Sequence, residues 1–388
     1  MKTPAPQWVV VAGIGMTQTL AWGSTYYLPA ILADDLASGT GSTRSWVFGA
    51  FSGSLLVAAG LSPAIGRMID RHGGRPVLIA SSIVMAIGLS VLAMAHSVAG
   101  LCVAWVILGV GMALGLYDAA FATLAALYGS QARGPMTGIT LIAGFASTIG
   151  WPLTAALEAK LGWRGACLVW AAFHGVVGLP ANAWVVPELP RGVMERRPSE
   201  TTGWKPRKEM LLLAFTFAAS WFVTGAMAAH FPTLLERAGT SHRAAIAAGA
   251  LIGPAQVGAR LMEFVIMRRA HPLVSARFAA VLHPLGAILF AAMGGPAAAL
   301  FALLHGAGNG LLTIARGTVP LAVFGPIGYG ARTGLLGAPA RAAQAAAPLL
   351  FGILLDKLGE YALIISGGFS ILALIALLGL RAKSPRTD

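Results

Sequence analysis

Five ionisable side chains stand isolated inside long apolar runs of this sequence: Asp118, Arg260, Glu263, Arg316 and Arg341. An arginine offers a planar fork of donors that can hold a carboxylate by two bonds, and it stays charged at any physiological pH. Arg260, with Gln256 one helical turn before it, has the chemistry to hold a small organic anion. Glu263 lies three residues on, at a spacing that puts it on the same helix face, where it can neutralise Arg260 instead. Solute contact and internal ion pair are therefore both open for Arg260. Asp118 in apolar surroundings can load and release a proton, or it can form a fixed bridge with Arg316. The two roles compete, because a permanent bridge removes the titrating group.

Other residues at helical spacing suggest a lined cavity. Gln18, Trp22, Thr25 and Tyr26 form one polar and aromatic stripe, while Tyr27 suits an anchor at a membrane interface. Trp221, Thr224 and His230 share a later run, and Asn309 lies in another. His230 reads as a satisfied polar group rather than a proton relay. Met227 and His230 do not make a copper path, because the 13 methionines are scattered. Cys102 and Cys167 sit in apolar runs and read as small buried hydrophobes, not as a disulfide or a metal site. No metal or other cofactor is expected. Nor is an enzyme, for want of a nucleophile–base pair in the apolar runs.

The elements that must position these groups follow from composition. Of 388 residues, 57% are hydrophobic and 11% charged, against about a quarter charged in a soluble domain. The solvent of such a chain is largely lipid. Crossing a bilayer takes about 20 apolar residues as helix, and twelve runs qualify: 8–33, 44–66, 76–95, 99–128, 136–161, 163–186, 209–235, 243–268, 271–294, 296–323, 334–356 and 360–381. The start is too weakly charged, and its apolar run too long, for a signal peptide, so it is expected to remain as the first span. A polar stretch at 187–208 separates a six-helix bundle in 1–186 from another in 209–388. The expected fold is an all-α membrane protein of two pseudo-symmetric bundles.

The net charge of +13 would suit nucleic acid, but its distribution argues otherwise. With an even number of spans, 18 Lys and Arg fall on the side of the termini and central loop, against six on the other. That side is therefore cytoplasmic, with anionic lipid head groups as the expected partners of the excess and no nucleic acid. The halves also echo each other. Gly109 and Gly111 before Asp118 match Gly306 and Gly308 before Arg316, and Lys160-Leu161-Gly162 recurs as Lys357-Leu358-Gly359. Tyr128-Gly129 is likewise matched by Tyr329-Gly330. Such glycines within spans suit close helix packing rather than nucleotide binding.

The stretch Gly66-Arg-Met-Ile-Asp70-Arg71-His-Gly73-Gly74-Arg75 links the second and third runs. Gly66 would let helices approach, Gly73-Gly74 would allow a tight reversal, and Asp70 could meet an arginine or the N-terminus of a neighbouring helix. This stretch resembles the loop signature of the major facilitator superfamily, with Gly66, Asp70, Arg71, Gly73 and Arg75 in matching places. Gly162-Trp163-Arg164 is similar to a motif of the same superfamily. Ile149-Gly150-Trp151-Pro152 is loosely similar to the glycine-proline motif of its antiporters. The resemblance implies a secondary transporter, expected to be a monomer in the cell membrane. The contacts of Asp70 would form when the cytoplasmic face closes and break when it opens, which makes the loop a gating latch, or else the loop is only an anchor of topology. An arginine in the eighth run is where the superfamily's monocarboxylate branch binds its substrate's carboxylate, although Gln256 stands where an acid is usual. Proton-coupled uptake of an organic anion is the first expectation. Proton-coupled efflux of an amphipathic or cationic compound is the alternative, and a sensor that no longer transports is a third.

Overall fold

The computed structural model describes residues 6–189 and 208–381. Lys2, Arg191, Arg196, Arg197, Lys205, Arg207, Lys383 and Arg386, all counted towards the orientation, lie outside these residues, as does most of the central stretch 187–208. Among the described residues every regular element is helical. In the first half these are α1 (Gln7–Ala21), α2 (Leu28–Gly39), α3 (Arg44–His72), α4 (Gly74–Ala93), α5 (Val98–Gly115), α6 (Tyr117–Tyr128), α7 (Arg133–Ala143), α8 (Ala146–Phe173) and α9 (Leu179–Trp184). In the second they are α10 (Lys208–Arg237), α11 (His242–Ala250), α12 (Ile252–Val265), α13 (Pro272–Met293), α14 (Ala298–Phe324), α15 (Tyr329–Leu358) and α16 (Ala362–Leu378).

Among the described residues, eight continuous stretches are long and apolar enough to cross a membrane. Two of them, Val98–Trp184 and Tyr329–Leu378, each hold more than one of the expected runs. Several runs are also interrupted. The first passes through a π-helical turn at Trp22–Tyr26 and breaks at Tyr27, the fourth breaks at Leu116, and the eighth breaks at Leu251. The link expected over Gly66 to Pro76 shrinks to Gly73, since Gly66 to His72 extend α3. Gly73 has φ 80°, a conformation open mainly to glycine.

The chain divides into two compact units. One comprises Met1–Thr202 with Pro326–Ala338, and the other Gly203–Gly325 with Pro339–Asp388. The first is centred on Leu32, Leu36, Leu89, Leu92, Trp105 and Trp170, and the second on Phe222, Phe231, Phe290, Phe301 and Phe351. Outside these cores, large apolar side chains face outward: Val176 is 75% exposed, Ile364 70% and Ile288 61%. A surface this greasy is stable only against hydrocarbon.

The sequence echo has a packing basis within each unit. A Cβ on Gly109 would come within 2.6 Å of the Ser54 carbonyl oxygen, and one on Gly306 within 2.5 Å of that of Ile252. Gly111 and Gly308 similarly press on α4 (Met85) and α13 (Ala279). Each glycine pair lets one helix lie backbone-close to two neighbours. Gly162 and Gly359, of the recurring Lys-Leu-Gly, both take left-handed φ, 69° and 58°. After Gly162 the Arg164 guanidinium lies over the Trp163 ring at 4.0 Å and donates to the Ala95 carbonyl at 2.9 Å. It thereby satisfies an acceptor just past the end of α4.

Candidate functional site

The stretch from Gly66 to Arg75, a knot of charges and glycines, is built around one carboxylate. Asp70 Oδ1 accepts the Gly330 N–H at 2.9 Å, and Oδ2 accepts that of Ala331 at 2.7 Å. These donors belong to the first turn of α15, where a helix leaves its N–H groups without internal partners. A negative charge there also meets the positive end of the helix dipole. The approach is so close that a Cβ on Gly66 would overlap the Gly330 carbonyl, and one on Gly330 that of Gly66. One turn further, Gly334 lies against the Ser62 carbonyl in the same way. Gly74 is needed for a different reason from Gly73, because a Cβ there would run into Thr123 of α6. Arg75 pairs with Glu188 at 2.5 Å, while Arg71 is exposed.

Within the first unit, the break at Leu116 is the main feature. Leu116 is extended (φ −80°, ψ −176°), and α6 restarts at Tyr117 with Asp118 in its first turn, 8% exposed. Asp118 thus lies at the start of a half-helix, where backbone N–H groups favour negative charge. Because the Ala119 N–H turns to the Leu116 carbonyl, the Gly115 carbonyl finds its donor elsewhere, in Gln18 Nε2 at 2.5 Å. One turn along α1's face the Trp22 ring sits 5.0 Å from Tyr26 and 5.1 Å from Tyr117. The expected stripe Gln18, Trp22, Tyr26 therefore meets the broken helix that carries Asp118. Tyr117 was not expected there. Irregular backbone at membrane depth persists only where protein or a wet cavity satisfies it.

The second unit gathers the arginines. Arg260 and Glu263 are 6% and 1% exposed, and Arg260 Nη2 donates to Gln256 Oε1 at 3.4 Å. Gly310 of α14 lies against the Gln256 backbone. Arg316 lies over the Trp221 ring at 4.8 Å. Arg341 is buried as well. Thr224 donates to Asn309 Oδ1 at 3.0 Å. His230 Nε2 donates to the Pro348 carbonyl at 2.7 Å, and so is satisfied by backbone.

Sequence reasoning missed a buried histidine pair in this unit. His283 Nδ1 and His305 Nδ1 are 2.9 Å apart, and His283 Nε2 lies 3.1 Å from Ser366 Oγ. One Nδ1 must donate and the other accept. Beside them is a small cavity, lined also by Thr224 and Asn309, with room for about one water. A further contact, Ser24 Oγ to His174 Nε2 at 2.8 Å, joins two π-helical turns of the first unit. The signal was available, since each histidine is an ionisable residue in mid-run. His283 ties α13 to α14 and α16, so His283→Ala should cost about 2 kcal/mol through lost bonds and a new void. Thermal unfolding in detergent measures this. An unchanged midpoint would remove the histidines from the list of fastenings.

A helical membrane chain in two glycine-packed units, with isolated charges buried in its helices, has the build of a secondary transporter. The sequence profile of the Major Facilitator Superfamily matches residues 10–304, and the chain belongs to that superfamily. It is a multi-pass membrane transporter of a small solute and not an enzyme. No curated protein sequence matches it. Its fold is similar to the crystal structure of the human organic anion transporter MFSD10 (TETRAN), with a TM-score of 0.75 and 20% identity, covering 96% of this chain and 99% of that one.

Proposed function

We propose that the protein carries a small organic anion, in the simplest case a monocarboxylate, together with a proton. The observation that carries this reading is the charge buried in the second unit. Among its described residues, Arg260, Arg316 and Arg341 are buried against one buried acid, Glu263. Each arginine at membrane depth costs about 3 kcal/mol or more, and side chains kept there at that cost mark the paths of solutes and ions. Arg260 is the carboxylate contact, with Gln256 beside it and Asn309 deeper in the same unit. Gln18, Trp22 and Tyr26 are the solute contacts of the first unit. Asp118 is the proton carrier, and its rival role as a fixed partner of Arg316 is excluded if transport follows the proton gradient. Asp70 and the glycines around it form a latch that closes and opens in the cycle. The similarity in fold to an organic anion transporter agrees with this reading.

The remaining expectations complete the proposal. The chain crosses the cell membrane twelve times as a monomer, with both termini in the cytoplasm and basic loops against anionic lipid. In proteoliposomes, an acid exterior should drive carboxylate uptake. With one proton per anion, a gradient of one pH unit supports about tenfold accumulation, and a protonophore removes it. The aromatic rings beside Asp118 favour a second reading, export of an amphipathic cation. Vesicles that move lipophilic cations against the gradient and leave carboxylates unmoved would establish that reading and end the first.

A further inference from the structure

We propose that the first unit reads a hydroxyl group on the solute through Gln18 and Trp22. The inference rests on the solute-carrier reading above and names the chemistry of one of its contacts. The Gly115 carbonyl can only accept, so the Gln18 amide nitrogen must face it, at 2.5 Å. That fixes the amide's orientation and leaves Gln18 Oε1 directed away from Gly115, buried and with no hydrogen-bond partner, in a side chain 1% exposed. One helical turn later, Trp22 Nε1 is likewise buried with no partner. The regular backbone bond from the Trp22 N–H to the Gln18 carbonyl keeps the two side chains on one face.

An orphan acceptor and an orphan donor, one helical turn apart and out of water, each forfeit a hydrogen bond unless a ligand supplies it. An ammonium group could serve Gln18 Oε1 but could not accept from the indole. A carboxylate could accept from the indole but could give nothing to the amide oxygen. A hydroxyl does both, donating to Gln18 Oε1 and accepting from Trp22 Nε1. The Tyr26 and Tyr117 rings, 5.0 and 5.1 Å from that of Trp22, wall the place with apolar surface that suits the carbon bearing the hydroxyl. The charged end of the solute is left to other residues, so the solute is a hydroxylated one.

The test uses the full-length protein in proteoliposomes and matched pairs differing by one hydroxyl. Lactate is paired with propionate, 3-hydroxybutyrate with butyrate, and choline with ethyltrimethylammonium. Wild-type protein should favour the hydroxylated member of a transported pair by about tenfold, the worth of one well-made buried hydrogen bond. Trp22→Phe keeps a ring and removes the N–H, and should bring that ratio close to one. A ratio untouched by Trp22→Phe, or no preference in the wild type, means that a resident water satisfies both atoms, and the inference falls. Carboxylate transport without hydroxyl preference overturns this inference alone. Preference confined to the choline pair overturns the anion reading alone. If no member of any pair moves or binds, both fall.

Discussion

Replacing Gly66 with alanine should reduce transport to less than about a tenth while the protein still reaches the membrane. The added methyl has nowhere to go, because its place is occupied by the Gly330 carbonyl rather than by a side chain that could turn aside. Overpacking against backbone costs about 1–3 kcal/mol, enough to move a two-state equilibrium by one or two decades. Gly330→Ala should fail in the same way, since its methyl would meet the Gly66 carbonyl. Asp70→Asn is the milder companion. The amide keeps the shape but has one acceptor oxygen for the two N–H groups of Gly330 and Ala331, and it carries no charge for the helix end. A hydrogen bond to a charged group is worth about 1.5–3 kcal/mol, so transport should fall several-fold at equal insertion. Full activity in both Gly66→Ala and Asp70→Asn would reduce the knot to an anchor of topology and remove the latch from the cycle.

The parts of this fold readable from sequence are those written in local pattern. Apolar runs of the right length gave the helices, and the spacing of Gly66, Asp70 and Gly73 marked a place where helices crowd. What Asp70 meets was not readable. Gly330 and Ala331 lie some 260 residues further along, and nothing local distinguishes their N–H groups from those of any other helix start. The break at Leu116 was hidden for a similar reason. Neither proline nor a run of polar residues marks it, and the interruption is sustained from outside, by Gln18 on the Gly115 carbonyl and by Ser81 packed where a side chain at 115 would lie. Asp118 was found from its type and its apolar surroundings, but the helix start that carries it was not. His283 and His305 were overlooked because each is solitary in its own run, and the contact between them exists only when α13 and α14 pack together.

Arg260→Ala should lower carboxylate transport about 100-fold or more. Removing one partner of a buried charged contact costs about 2–5 kcal/mol, and each 1.4 kcal/mol is a factor of ten. Arg260→Lys should recover little, because an ammonium keeps the charge but loses the two-pronged grip on a carboxylate. The competing explanation is that Arg260 exists to neutralise Glu263, which is 1% exposed and three residues away on the same helix. On that account the damage in Arg260→Ala comes from a buried acid left uncompensated, and the double substitution Arg260→Ala with Glu263→Gln should restore carboxylate transport. If Arg260 instead holds the solute, the double variant stays inactive towards carboxylates, although it folds at least as well as the single one. Cation export, should the protein perform it, would survive in both variants. The sign of the moved solute and the behaviour of the double variant thus separate an arginine that binds from one that balances.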